Sequence, residues 1–306
     1  MNLYPAKIAY YRVLYQLHQL LPHQKTTSPV IISGTTRGGT TWLMEQLYHK
    51  DMQVIWEPTK YETITRHRGE TFAKTLGVIP YIPEDAVWDE AYAYFDQLLS
   101  GGIPEGINSS SHPLLLSNPF AKSRLLLKCC NINLLLPWLC RNFNIRPILL
   151  VRSPFAVIAS QLRHPGFREI GTTHNLFALN QSKYQDIFLR YEAPIKAIRT
   201  QTEMLANWWA IQHVELLRYP EEERKWEVVY YEDLFEDTEV WINRLYDKYS
   251  ISNQFDKHRS ERPSSTSYFF IADSFKSEVS DRNQLNPGLI SEVRNVMSQY
   301  NISRYS

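Results

Sequence analysis

Val30-Ile31-Ile32-Ser33-Gly34-Thr35-Thr36-Arg37-Gly38-Gly39-Thr40-Thr41-Trp42-Leu43 runs from a β-branched strand through a Gly/Thr turn into an amphipathic helix carrying Leu43, Met44 and Leu47. That succession is the layout of a phosphate cradle. Glycines let the backbone curl until its N–H groups face an anion, threonine hydroxyls add donors, and the following helix presents the positive end of its dipole. The stretch therefore predicts an α/β protein that binds a nucleotide or another phosphorylated cofactor.

Spacing separates two kinds of cradle. A kinase-type loop reads G-x-x-x-x-G-K-[ST], with the lysine on the transferred phosphate and the hydroxyl on Mg²⁺. Gly34 and Gly39 have that separation, but Thr40 stands where the lysine belongs and the cation, Arg37, lies earlier. An ATPase is disfavoured. At these residues the chain resembles the sulfotransferases that use 3′-phosphoadenosine 5′-phosphosulfate (PAPS), whose 5′-phosphosulfate loop reads roughly [KR]-[SG]-G-T-T-[WL]. Arg37-Gly38-Gly39-Thr40-Thr41-Trp42 fits every place. The resemblance implies that Arg37, Gly38, Gly39, Thr40 and Thr41 hold the 5′-phosphosulfate and that Trp42 stacks on adenine. The competing reading of Trp42 is a core residue opening a buried helix.

A second run, Ile148-Leu149-Leu150-Val151-Arg152-Ser153-Pro154-Phe155-Ala156-Val157-Ile158-Ala159-Ser160, ends a strand at Arg152 and places Pro154 where a helix begins. By itself it reads as a capped helix. It is similar to the family's 3′-phosphate motif, in which an Arg and a Ser at the separation of Arg152 and Ser160 grip the phosphate. Arginine supplies a forked, permanently charged donor and serine a hydroxyl. Tyr230-Tyr231-Glu232-Asp233-Leu234 resembles the Y-E-D-L strand end of the family, and Asn207-Trp208-Trp209 precedes it on a helix. Glu232 and Asp233 read as structural, capping the next helix. Arg262-Pro263-Ser264-Ser265-Thr266-Ser267 has the look of an adenosine-side loop, which assigns Ser264 to the cofactor, and Lys276 approximates a late 3′-phosphate contact. The Arg-Lys-Gly run of the cytosolic branch is absent. The resemblance extends from Val30 onward and implies a P-loop NTPase-like sulfotransferase fold.

Sulfuryl transfer, by analogy with phosphoryl transfer, passes through a loose transition state with charge growing on the bridging oxygen of the leaving nucleotide. A fixed cation there is worth most. Arg37 takes that role by electrostatics, since an arginine stays protonated. No sequence feature demands a metal. The acceptor hydroxyl needs a base within hydrogen-bond reach. The cytosolic branch supplies a His after Lys-Thr, but this chain reads Lys128-Cys129-Cys130 there, and a thiol in an apolar strand stays protonated. Other branches, including carbohydrate and tyrosylprotein sulfotransferases, carry a Glu after the 5′ loop, often as Glu-Pro. Val54-Ile55-Trp56-Glu57-Pro58 makes Glu57 the candidate base, with His67 and His112 next in line.

The rest of the sequence accommodates this reading. With 306 residues, 43% hydrophobic and 13% aromatic, the chain can bury a large core as one α/β domain spanning 1–306. Apolar runs at 124–130, 146–152 and 226–231, separated by helical stretches, suit a mostly parallel sheet covered by helices on both faces. Ligands in such sheets sit at the carboxyl ends of the strands. Residues 1–28 read as an amphipathic helix packed on the domain, followed by a linker. Residues 81–119 read as loops and short helices over the substrate. There Trp88, Tyr92, Tyr94 and Phe95 stand among Glu84, Asp85, Asp89 and Glu90. Aromatics with acids suit a sugar or a polar small molecule, and equally an amphipathic helix.

A formal net charge of +1 excludes a broad electrostatic footprint for nucleic acid. Three cysteines with no C-x₂-C pair argue against a disulfide framework, leaving free thiols in a reducing, cytoplasmic setting. No run is apolar enough to span a bilayer. The expected protein is thus a PAPS-dependent enzyme, without metal, membrane or nucleic-acid partner, that sulfates a hydroxyl or amine of a small molecule or glycoside in specialised metabolism. Monomer and homodimer both stay open. The rivals are a small-molecule kinase on the same sheet and a non-catalytic homologue that binds the product nucleotide, 3′-phosphoadenosine 5′-phosphate (PAP).

Overall fold

Apolar segments too continuous for a half-exposed sheet must be covered on both faces, and the computed structural model shows how. It describes residues 27–102, 124–167, 182–265 and 285–305, together with Tyr10, Val13, Leu14 and Leu17. Strands β1 (Thr27–Gly34), β2 (Met52–Trp56), β3 (Arg124–Cys130), β4 (Ile148–Val151) and β5 (Glu227–Tyr230) form a parallel sheet in the order β2-β3-β1-β4-β5. Strand β2 has no counterpart in the strands read from sequence. Its five residues, Met-Gln-Val-Ile-Trp, are all buried, but Gln53 breaks the apolar run, so the stretch shows neither a continuous apolar run nor a clean alternation.

Alternate residues of a strand face opposite layers, and β3 shows both. Leu126 joins Trp42, Leu43 and Leu47 of α1 (Thr40–Leu47) on one face. Leu125, Leu127 and Cys129 join Phe72 of α2 (Tyr61–Leu76) and Tyr94 and Phe95 of α3 (Asp89–Leu99) on the other. The short α4 (Leu136–Asn142) adds Trp138 to that cluster. Beyond β4 comes α5 (Pro154–Arg163), which packs with α6 (Gln201–Arg218) and the C-terminal helix in a third cluster. Helix α6 opens on a capping box, in which Thr200 and Glu203 satisfy each other's backbone N–H groups. After β5 follow α7 (Tyr231–Glu236) and α8 (Thr238–Lys248), and the chain ends on α9 (Pro287–Gln299).

Strand β1 lies in the middle, and the chain passes from β3 on one side of it to β4 on the other. In parallel sheets such a reversal opens a crevice at the strands' carboxyl ends. Register puts Gly34 beside Cys130 and Leu150, Trp56 beside Lys128, and Val151 beside Tyr230. The residues at or just past these ends therefore share one edge.

Two expectations about the periphery meet this fold. Residues 81–102 place Trp88, Tyr94 and Phe95 in the core at 8%, 0% and 1% exposure, while Tyr92 is exposed, so three of the four aromatics pack into the domain. Residues 103–119 lie outside the described residues, as does most of 1–28. Tyr10, Val13, Leu14 and Leu17 are helical, with Tyr10, Val13 and Leu17 exposed. Among the described residues no helix is long and apolar enough to cross a membrane, and the three cysteines are buried free thiols.

Candidate active site

The loop after β1 folds back on itself, with Gly38 N–H donating to Thr35 O at 2.8 Å. Arg37 takes φ 73° and Gly39 takes φ 91° as the residue capping α1. Gly39 tolerates no side chain there, because a Cβ would stand 2.5 Å from the Tyr231 ring. Thr40 and Thr41 then open α1 with its N-terminal end toward the crevice.

Two motifs distant in sequence meet at this loop. Arg37 Nε donates to Ser160 Oγ at 3.1 Å, and Arg152 Nη1 donates to the Arg37 carbonyl at 3.4 Å. Gln161 Nε2 donates to Thr36 O at 3.0 Å, so α5 grips the loop through consecutive residues. The Arg152 guanidinium lies over the Tyr231 ring, 4.6 Å from its centroid, and its carbonyl accepts from Trp209 Nε1 at 3.0 Å. Trp209 thus fixes the strand end that carries Arg152.

Across the crevice, Glu57 follows β2 with φ 48°, tied by its N–H to Lys128 O at 2.8 Å. Each oxygen of its carboxylate has a partner: Oε1 pairs with Lys128 Nζ, and Oε2 accepts from Cys130 N–H at 2.8 Å. Burial pushes the Glu57 pKa up, but the Lys128 charge and the hydrogen bonds outweigh it and hold the carboxyl below its ordinary value. Burial disfavours the Lys128 ammonium too, yet Cys130 and Glu57 beside it raise its pKa. Lys128 also sits 4.4 Å from the Trp56 ring centroid and 3.3 Å from Cys130 Sγ. Burial pushes the Cys130 thiol up, leaving it protonated.

These groups line one cavity of about 420 Å³, within the range of small-molecule sites. Of the residues singled out from sequence, Arg37, Gly39, Thr40, Thr41, Trp42, Glu57, Arg152, Ser160 and Ser264 line it. Gly38 does not, and serves the turn. Trp42 reaches the cavity but is only 2% exposed, with its ring edge on Tyr231 and its Nε1 donating to Ser260 O at 3.3 Å. His67 lies on α2 away from the lining, and Lys276 and His112 lie outside the described residues. Glu232 and Asp233 do not cap α7, whose start has no side-chain cap; Glu232 instead accepts from Ser153 N–H at 2.7 Å at the start of α5, and Asp233 pairs with Arg304.

Sequence reasoning passed over Lys128, Asn131, His164 and Tyr231, which also line the cavity. Lys128 had a signal: a lone charge inside Leu-Leu-Leu-Lys-Cys-Cys needs a buried partner. Arg37, Glu57 and Asn131 are three of the five non-glycine residues with positive φ among the described residues. Such strain gathers at functional sites.

Parallel sheet, helices on both faces and a Gly/Thr loop after the central strand define an α/β protein of the P-loop type. The chain belongs to the sulfotransferase domain family, whose model matches residues 27–298. Sulfuryl transfer is the activity that membership assigns. Among solved structures, the chain is similar to a sulfotransferase domain from the curacin biosynthetic pathway, at 16% identity over 90% of this chain and 98% of that one, with TM-score 0.44. It is also similar to a sulfotransferase domain from the Synechococcus PCC 7002 olefin synthase, at 18% identity over 93% and 98%, with TM-score 0.38. No curated protein matches the chain.

Proposed function

We propose that the protein transfers the sulfuryl group of PAPS to a hydroxyl of a small-molecule acceptor, without a metal. The observation that carries the reading is the meeting of Arg37 with Ser160 and Arg152 in one cavity. PAPS carries two anionic groups on one nucleotide, and two motifs that suit anions adjoin in this cavity. The loop from Arg37 to Thr41 takes the phosphosulfate, while Arg152 and Ser160 take the 3′-phosphate. Ser264 and the cavity-facing part of Trp42 lie on the nucleotide side. On the opposite wall Glu57 and Lys128 stand with Trp56, Tyr61, Val78 and Pro80, and the acceptor enters there.

In the reaction the acceptor oxygen bonds to sulfur as the bond from sulfur to the bridging phosphate oxygen breaks. Arg37 stabilises the charge that collects on that oxygen. The acceptor proton passes to Glu57. A carboxylate held below its ordinary pKa is a weak base, but an alcohol oxygen becomes strongly acidic once it bonds to sulfur, so a late transfer suffices. Lys128 keeps Glu57 ionised and aimed.

Calorimetric titration with PAP, set against ATP with Mg²⁺, tests the cofactor. PAP binding with no ATP binding is expected, and a preference for ATP would overturn the proposal. A PAPS-consumption screen over phenols, sugars, amines and polar metabolites then identifies the acceptor.

A further inference from the structure

Helix α2 is broken at Gly69, which takes φ 85°. Both of its ends reach the cavity, with Lys60 and Tyr61 at the start and Val78 and Pro80 past the finish. Lys60 N–H donates to Glu57 O at 3.2 Å, closing the turn Glu57-Pro58-Thr59-Lys60. The ends of such a turn lie under about 7 Å apart at Cα, so Lys60 and the Glu57 base fall within the span of one small molecule.

Charge on this wall is unbalanced. Glu57 is the one carboxylate among the described lining residues, and its oxygens are taken by Lys128 and by Cys130 N–H. Lys60 is exposed, and among the described residues its ammonium has neither an ion pair nor a hydrogen bond. Beside it the wall is apolar and uncovered, since Tyr61 is 38% exposed and Val78 44%. The Tyr61 hydroxyl donates to Glu70 Oε1 at 3.4 Å, which occupies the polar end of that side chain. An unpaired cation next to bare apolar surface matches a ligand that is itself an anion on an apolar body.

Position assigns this ligand to the acceptor side. Lys60 follows β2, which lies three strands from β4 and the Arg152 at its end. At about 4.8 Å per strand, that sets it about 14 Å across the sheet from the group given to the 3′-phosphate. A lone ammonium is a point charge that balances one negative charge, which selects a carboxylate over a doubly charged phosphate ester. We propose that the acceptor is a hydroxylated organic acid, with its carboxylate on Lys60, its apolar body against Tyr61 and Val78, and its hydroxyl at Glu57. The proposal rests on the sulfuryl-transfer reading of the cavity and narrows the acceptor within it.

Rates of PAPS consumption with para-(hydroxymethyl)benzoate, mandelate and ω-hydroxydecanoate, each set against its own methyl ester, test the class. At least one acid is expected to exceed its ester about tenfold in kcat/KM, the effect of one hydrogen bond to a charged group. In Lys60→Met that ratio should fall toward unity through a higher KM for the acid rather than a lower kcat, and Lys60→Arg should restore most of it. Equal use of acid and ester, or use of no acid at all, overturns the proposal, as does a preference that survives Lys60→Met. A KM for PAPS that rises in step with that for the acid would place Lys60 on the nucleotide and overturns it too. Wild-type protein that binds no PAP in calorimetry would instead defeat the PAPS reading beneath it.

Discussion

Glu57 shows how one residue's chemistry is set by its neighbours. Alone in this cavity, a carboxylate 5% exposed would be driven toward its neutral form, yet beside Lys128 its pKa is lowered. Because the folded value lies under the ordinary 4.5, the pair contributes stability that is present above that pH and lost as pH falls below it. Removing one member of a buried pair strands the other and costs about 3–5 kcal/mol, while replacing both with apolar groups is close to neutral. Urea unfolding of Lys128→Met should therefore show a loss of that size, and Glu57→Leu combined with Lys128→Met should restore most of it. A double-variant loss equal to the sum of the Glu57→Leu and Lys128→Met losses would mean that the two charges are not coupled. Function adds a separate expectation, read on folded protein: Glu57→Gln should lower kcat by about 10²–10⁴-fold with PAP affinity kept. Near-normal turnover would remove Glu57 as the base. Glu57 was legible because Glu-Pro follows the first helix at the family's spacing. Lys128 was visible only as a charge out of place, since a partner 71 residues away leaves no mark in sequence.

At the scale of elements, a buried polar chain ties β1 to β4 through α6. Ser33 Oγ donates to Asn133 Oδ1 at 2.6 Å, and Asn133 Nδ2 lies 3.3 Å from His213 Nε2. His213 Nδ1 is 2.7 Å from Trp209 O, and Trp209 Nε1 donates to Arg152 O. Since a carbonyl only accepts, His213 carries its proton on Nδ1 and accepts from Asn133, so every donor has one acceptor. The strand ahead of the phosphate loop and the strand end bearing Arg152 are thereby held in fixed relation. His213 is 0% exposed, and burial lowers its pKa from 6.5 to about 4. The unfolded chain takes up this proton first, so stability falls as pH drops from 6.5 toward 4, by about 3 kcal/mol from this group. His213→Gln should flatten that part of the pH–stability curve in urea unfolding, and an unchanged slope would exclude His213 as its source. Elements were legible to the degree that their apolar pattern was unbroken. Strands β1, β3 and β4 announce themselves as continuous apolar runs and β5 through Val228, Val229 and its flanking aromatics, whereas Gln53 breaks the run of β2. Trp88, Ala91, Tyr94, Phe95 and Leu98 recur at helical spacing along α3, and the buried face they make explains an aromatic richness that also suited a ligand.

At the scale of the molecule, a chain of net charge +1 gathers Arg37, Lys60, Lys128, Arg152 and Arg163 around one cavity, with Glu57 as the carboxylate among the described lining residues. Five cations against one acid repel one another in the empty protein, and a multiply charged anion relieves that repulsion on binding. In the proposed binding mode the relief couples the cavity to the whole fold, because the nucleotide would bridge the loop after β1, the start of α5 and the end of β4. A ligand that binds only the folded state stabilises it by about 2.7 kcal/mol at a hundredfold excess over its Kd. At roughly 2–4 °C per kcal/mol for a chain of this class, saturating PAP should raise the Tm by about 5–10 °C. Part of the gain is electrostatic and should shrink as salt shortens the screening length. Adenosine 5′-phosphate, which lacks the 3′-phosphate, should give a much smaller shift, and Arg152→Ala should reduce the PAP shift to that level. A shift equal for both nucleotides would mean that Arg152 and Ser160 do not hold the 3′-phosphate. That outcome would leave the loop at Arg37 as a cradle for a single phosphate.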